Sequence, residues 1–132
     1  MVQVETATAV SQIEAVAAVE GIDGIFIGPS DLAADLGHLA DNRHPEVQAL
    51  IAEACARIRK AGKAAGMLAG SAEDAARCFD MGFTFVAAGS DLGIMTQGAA
   101  TRAAALRKHL ASRTAPLPAG RNGSAERMDR VD

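Results

Sequence analysis

The strongest constraint in this sequence is a repeated alternation of short apolar runs with stretches of helical periodicity. Met1 to Val4 reads as a strand ending at Glu5. Thr6 then caps a helix predicted from Ala7 to about Val19, with Ile13, Val16 and Ala17 on one face, closed by Gly21. Gly24 to Ile27 is apolar at successive positions, as suits a parallel strand covered on both faces. Gly28-Pro29-Ser30-Asp31 breaks it and opens a short helix from about Leu32 to Leu36. After a polar segment, Pro45 sits at a first helical position. Val47, Leu50, Ile51, Ala54 and Ile58 form the stripe of a long helix ending near Gly62. A third strand spans about Ala64 to Ala69. Ser71 caps a helix with Ala72, Ala75, Ala76 and Phe79 at helical spacing, and Met81-Gly82 ends it. Phe83 to Ala87 is the fourth strand, and Gly89-Ser90-Asp91 leads into a last helix reaching Leu110.

Four strand–helix units imply a parallel sheet with right-handed crossovers. Two architectures fit: a small open doubly wound sheet, or half of an eight-unit barrel, which needs about 250 residues. Periodicity does not separate them. The core looks thin for either, because 30 of the 132 residues are alanine and there is no Trp or Tyr. Alanine buries little area, so the hydrophobic term at ~25 cal/mol per Å² is modest. Residues 111–132 hold Pro116, Pro118, Gly120 and Gly123 with no periodicity and read as a disordered tail.

Charge and segment patterns exclude several classes. A formal charge of −3 argues against nucleic-acid binding, which favours a basic surplus. No apolar run is long enough to span a membrane, and no signal-peptide pattern opens the chain, so a cytoplasmic protein is the expectation. Cys55 and Cys78 lack metal-finger or C-x-x-C spacing and read as reduced thiols without a catalytic role.

Chemistry in parallel α/β folds gathers at the C-terminal ends of strands. Gln3 and Glu5 end the first strand, Gly28-Pro29-Ser30-Asp31 follows the second, and Gly89-Ser90-Asp91 follows the fourth. If the first two strands are neighbours, about 4.8 Å apart, Glu5 and Asp31 face one cup. Two convergent carboxylates make a hard oxygen site suited to Mg²⁺ or Mn²⁺. The plainer readings are a solvated Glu5 and capping by Ser30 or Asp31, and likewise by Ser90. His38 and His44 fall in a polar loop and read as surface residues rather than ligands. His109 reads as complementing a helix dipole.

The blocks Val2-Gln3-Val4-Glu5-Thr6 and Ala18 to Leu32, which includes Gly28-Pro29-Ser30-Asp31-Leu32, resemble the HpcH/HpaI aldolase/citrate lyase family. The resemblance continues through Leu36-Gly37-His38, His44-Pro45-Glu46-Val47, Gly62 to Gly66 and Gly82 to Asp91, covering roughly residues 2 to 110. It points to the 4-hydroxy-2-oxo-heptanedioate and 2-keto-3-deoxy-sugar-acid aldolases.

That resemblance implies a (β/α)8 TIM barrel, of which residues 1–110 would form the C-terminal half. It implies cleavage of 4-hydroxy-2-oxo acids to pyruvate and an aldehyde, with Mg²⁺, Mn²⁺ or Co²⁺ held by Glu5 and Asp31. Gln3 matches a polar residue beside the keto acid. The backbone N–H groups of Ser30 and Asp31 match the carboxylate cradle, and Gly28 permits close approach. Leu68 matches an apolar residue lining the aldehyde pocket. Lys60 and Lys63 flank a helix end, so no Schiff base is called for. The family's catalytic His and Arg belong to the N-terminal half, so no catalytic residue is assigned here, and little activity is expected of this half alone. The expected partners are the small substrates and further copies of the chain in a homo-oligomer. Two alternatives are an acyl-CoA lyase of the citramalyl- or malyl-CoA type and a non-catalytic α/β assembly module.

Overall fold

The computed structural model describes residues 1–113, and the predicted tail from 114 onward lies outside them. The described residues divide into two units, Met1–Ile94 and a second that begins at Met95. The first holds all four strands: β1 (Val2–Val4), β2 (Gly24–Ile27), β3 (Ala64–Leu68) and β4 (Phe85–Ala87). They pair in parallel in the order β1-β2-β3-β4. Each crossover steps to the next neighbour in one direction. Right-handed crossovers then place the helices that connect the strands on one face, as in an arc of a barrel. A doubly wound sheet would reverse its order at a switch point, and this sheet does not.

Register separates the two faces. Val4, Ile27 and Met67 form one buried row, and Ile25 and Ala65 belong to another; these face the helices. Gln3, Phe26, Gly66 and Phe85 form a row on the opposite face, where Gln3 and Phe85 are exposed. There the Phe26 and Phe85 rings meet edge to face at 6.2 Å. A Cβ on Gly66 would lie 2.7 Å from Phe26 and 3.2 Å from Phe85, so only glycine leaves room for the pair. The two central strands β2 and β3 are thus buried or half-buried on both faces up to Leu68, whereas β1 and β4 expose Gln3 and Phe85.

The core lies between the sheet and α4 (Pro45–Lys60). Pro45 opens this helix as the sequence predicts, and Val47, Ile51, Ala54 and Ile58 are fully buried, with Leu50 packed alongside. The predicted helix after Thr6 is instead two short ones, α1 (Ala7–Ser11) and α2 (Ile13–Ala17). Gln12 between them departs from helical geometry at φ −103°, ψ 12°. The Ser11 hydroxyl beside it donates to the Thr8 carbonyl at 2.7 Å, a local bond that competes with the helical ladder. Thr6 does cap α1, accepting from the Ala9 N–H at 3.1 Å.

Helix α3 (Pro29–Asp35) starts earlier than predicted, because Pro29 already occupies its first turn. Helix α5 (Ala72–Met81) is capped by Ser71 and ended by Gly82 at φ 106°, as the sequence reads. Its buried face runs through Ala75 and Cys78, however, and Phe79 is exposed. Phe79 follows Cys78 by one residue, about 100° around the helix, so both cannot face the core. The fourth strand begins at Phe85 rather than Phe83, and Phe83 packs into the core. Helix α6 (Asp91–Arg113) takes in residues 111–113, three positions that the sequence assigns to the tail. No helix among the described residues is long and apolar enough to cross a membrane.

One surface bridge ties α2 to α4. Arg57 donates from Nε and Nη2 to both carboxylate oxygens of Glu14, at 2.8 and 2.5 Å, and from Nη2 to the Ser11 carbonyl at 3.0 Å. The guanidinium holds the Glu14 carboxyl down at about 2.

Candidate functional site

Glu5 and Asp31 reach the same end of the sheet by two routes. β1 and β2 are hydrogen-bonded neighbours, and the Gly28 N–H extends their ladder by donating to the Val4 carbonyl at 3.0 Å. Glu5 thus follows the last residue of β1 directly beside Gly28. Asp31 lies three residues further on, in the first turn of α3.

The side chains of Gln3 and Glu5 lie across Gly28. A Cβ there would be 2.9 Å from Gln3 Nε2, 2.9 Å from Glu5 Oε2 and 3.1 Å from Glu5 Cβ. Gly28 has φ −88°, which any residue adopts, so glycine serves here as space rather than as a special backbone conformation. Over it, Gln3 Nε2 donates to Glu5 Oε2 at 2.7 Å. The amide thereby orients the carboxylate and leaves its own oxygen as an acceptor.

Neither Ser30 nor Asp31 caps α3. Gly28 is the cap residue and the helix has no side-chain cap. The first intrahelical bond runs from the Leu32 N–H to the Gly28 carbonyl at 3.0 Å, so the N–H groups of Ser30 and Asp31 precede the ladder. Ser90, in contrast, behaves as a cap, accepting from the Gly93 N–H at 3.1 Å. Leu68 ends β3 two residues after Gly66 and is 40% exposed. The period of two puts it on the same face as Gln3 and Glu5. Lys63 precedes β3 and so lies at the opposite end of the sheet.

Several contributors escape sequence reasoning. The Ala7 N–H donates to Asp35 Oδ2 at 2.8 Å, tying the segment after Glu5 to the helix that carries Asp31. These residues are 28 apart and no local pattern marks the pair. Beside Leu68 a groove is lined by Pro29, Arg43, Met67, Asp74 and Arg77. Arg43 and Arg77 both engage the Asp74 carboxylate, which leaves a surplus positive charge in that groove. His38 and His44 are half-buried and stacked at 3.5 Å, with His38 Nε2 2.8 Å from Glu46 Oε2. Both keep partial exposure, as a surface reading expects, while packing on each other. The buried thiols of Cys55 and Cys78 are free, and burial raises both pKa values, as fits a structural role.

A family model described as HpcH/HpaI aldolase/citrate lyase matches residues 1–97. The chain belongs to the HpcH/HpaI aldolase/citrate lyase family. One relative, a 5-keto-4-deoxy-D-glucarate aldolase of Klebsiella pneumoniae, is 50% identical over 108 residues, covering 82% of this chain and 42% of that protein. A pyruvate aldolase of Rhizobium etli is 45% identical over 104 residues, covering 79% of this chain and 41% of that protein. Among solved structures, an HpcH/HpaI family protein from Burkholderia cenocepacia superposes with a TM-score of 0.75 at 36% identity. It is covered over 42% of its length, against 80% of this chain. The chain thus spans about 40% of the length of these relatives. Its four-stranded sheet is a partial barrel of the family's fold.

Proposed function

We propose that this chain supplies the cation- and keto-acid-binding half of a metal-dependent aldolase. The reaction is cleavage of a 4-hydroxy-2-oxo acid of the sugar-acid type to pyruvate and an aldehyde. The observation that carries the reading is the arrangement over Gly28. Gln3 and Glu5, hydrogen-bonded to each other, pack on a glycine three residues before Asp31. The similarity to the Klebsiella and Rhizobium aldolases supports the same reading.

The donor set fits a hard divalent cation, since Glu5 and Asp31 offer only carboxylate oxygens. The chemistry such a cation supplies is Lewis-acid stabilisation of charge growing on the keto oxygen as the C3–C4 bond breaks. This chain's residues do the rest of the holding. Gln3 fixes the Glu5 carboxylate and presents its amide to the keto acid. The N–H groups of Ser30 and Asp31 receive the pyruvyl carboxylate. Gly28 lets the substrate lie close to the backbone. Leu68 lines the side where the aldehyde leaves. The groups that move protons belong to the other half of the barrel, residues 1–110 supplying this one. Activity then depends on that half and on assembly into an oligomer.

The test couples binding to turnover. Mn²⁺ binding and pyruvate release from a 4-hydroxy-2-oxo acid are measured for the chain and for its Glu5→Gln and Asp31→Asn variants. Both substitutions are expected to remove cation binding and any pyruvate release. Binding and turnover untouched by both would overturn the assignment.

A further inference from the structure

We propose that His38, His44 and Glu46 form a second cation site, for a transition ion of the Zn²⁺ class, distinct from Glu5 and Asp31. One ligand atom from each of the three residues lies within 4.8 Å of the others. The cluster joins the two ends of the loop after α3, His38 and His44, to the first turn of α4. His38 and His44 are half-buried, and Glu46 closes the cluster from the solvent side.

The loop that brings the two histidines together is tightly held. Gly37 turns the chain at φ 83°, and Ala40 takes a left-handed conformation at φ 64°, which costs a non-glycine residue of order 1 kcal/mol. The His38 N–H donates to the Ala33 carbonyl at 2.7 Å, and the Asp41 N–H returns to the His38 carbonyl at 2.9 Å. The His44 N–H then donates to Asp41, and Gln48 Nε2 donates to the Asn42 carbonyl at 2.7 Å. These bonds bring the two rings together as a stacked pair, 15° from parallel, with His44 Nδ1 accepting from the Glu46 N–H at 3.3 Å.

Donor chemistry selects the ion. Two imidazoles and one carboxylate form a set of intermediate softness, which suits Zn²⁺ and its neighbours better than Mg²⁺ or Ca²⁺. Glu5 and Asp31, with oxygen donors only, have the opposite preference. Zinc–ligand bonds of about 2.0–2.2 Å place tetrahedral ligand atoms roughly 3.4 Å apart, so the cluster closes by only about 1.5 Å on binding. Imidazole lone pairs lie in the ring plane, so the His44 ring must also turn out of the stack to aim at the ion. That turn and the exposed Glu46 carboxylate supply the movement, at the expense of the 3.3 Å bond that His44 Nδ1 accepts from the Glu46 N–H. The ion takes over the His38 contact with Glu46 and pins the loop to the start of α4, with solvent in the fourth position.

The experiment uses Zn²⁺ itself on the full chain carrying Glu5→Gln and Asp31→Asn, so that failure of the aldolase reading leaves it unaffected. Isothermal titration should give one Zn²⁺ per chain, with a His44→Asn or His38→Asn change weakening it at least tenfold. A Glu46→Gln variant, which keeps the side-chain shape, should weaken it less. Circular dichroism confirms that each variant is folded. The His38 and His44 ring resonances should shift with Zn²⁺ in the parent. Zn²⁺ affinity indifferent to both histidines, or no binding at about 0.1 mM, would overturn the site.

Discussion

Replacing Gly28 by alanine separates what the site needs from what the fold needs. The added Cβ would sit 2.9 Å from both Gln3 Nε2 and Glu5 Oε2, where ordinary contact begins at 3.4 Å. Both side chains must therefore retreat by about 0.5 Å, which breaks the close packing over residue 28. The conformation itself is no obstacle at φ −88°. Losing the exposed Gln3–Glu5 bond costs about 0.5–1 kcal/mol, at the low end for hydrogen bonds. The less flexible unfolded chain returns about 0.4–1 kcal/mol. Stability should thus change by less than about 1 kcal/mol, a shift of a few degrees in Tm. The Glu5 carboxylate loses its orientation, and loss of an orienting partner typically weakens a cation by about 10–100-fold. Urea denaturation read beside Mn²⁺ binding by paramagnetic resonance measures both quantities. Unchanged Mn²⁺ affinity in a folded variant would refute the reasoning. A loss beyond about 3 kcal/mol would show that Gly28 serves the fold instead.

Three other outcomes follow from the same geometry. Glu14 is depressed from 4.5 to about 2 by Arg57, so its stabilising contribution is complete above its unfolded pKa and is lost as pH falls toward 2. The stability gap between the chain and a Glu14→Gln variant should shrink over that window in denaturation curves; a gap unchanged down to pH 2 would contradict it. Ile51→Ala removes a fully buried side chain from α4 and should cost about 2–5 kcal/mol by urea unfolding, and a cost under 1 would mean that the α4 core is not cooperative. Burial raises both thiol pKa values, so Ellman's reagent should label Cys55 and Cys78 only as fast as the chain opens, and prompt labelling in the native state would argue otherwise.

Local signals carried far in this chain because each acts over a few residues. Thr6, Ser71 and Pro45 mark helix starts through their own backbone chemistry, and all three hold. The Val47 to Ile58 stripe holds because a period of 3.6 needs no partner to be read. Readings failed where two local options were close in energy. At Ser11 and Gln12 a side-chain bond interrupts a helix that the apolar pattern continues. At Phe79 the stripe of small residues did not say which neighbour, Cys78 or Phe79, would face inward.

The four strand–helix units, the strand ends that bear Gln3, Glu5 and Asp31, and the glycine between them can all be read along the chain. Those features depend on residue type and spacing along the chain. Only the tertiary structure decided between an open doubly wound sheet and an arc of a barrel, because strand order is a property of pairing between distant segments. Only it showed that Gly28 is the floor beneath Gln3 and Glu5, that Asp35 ties their loop down, and that His38 stacks on His44. Each of these is a contact across chain separations that no short-range periodicity encodes.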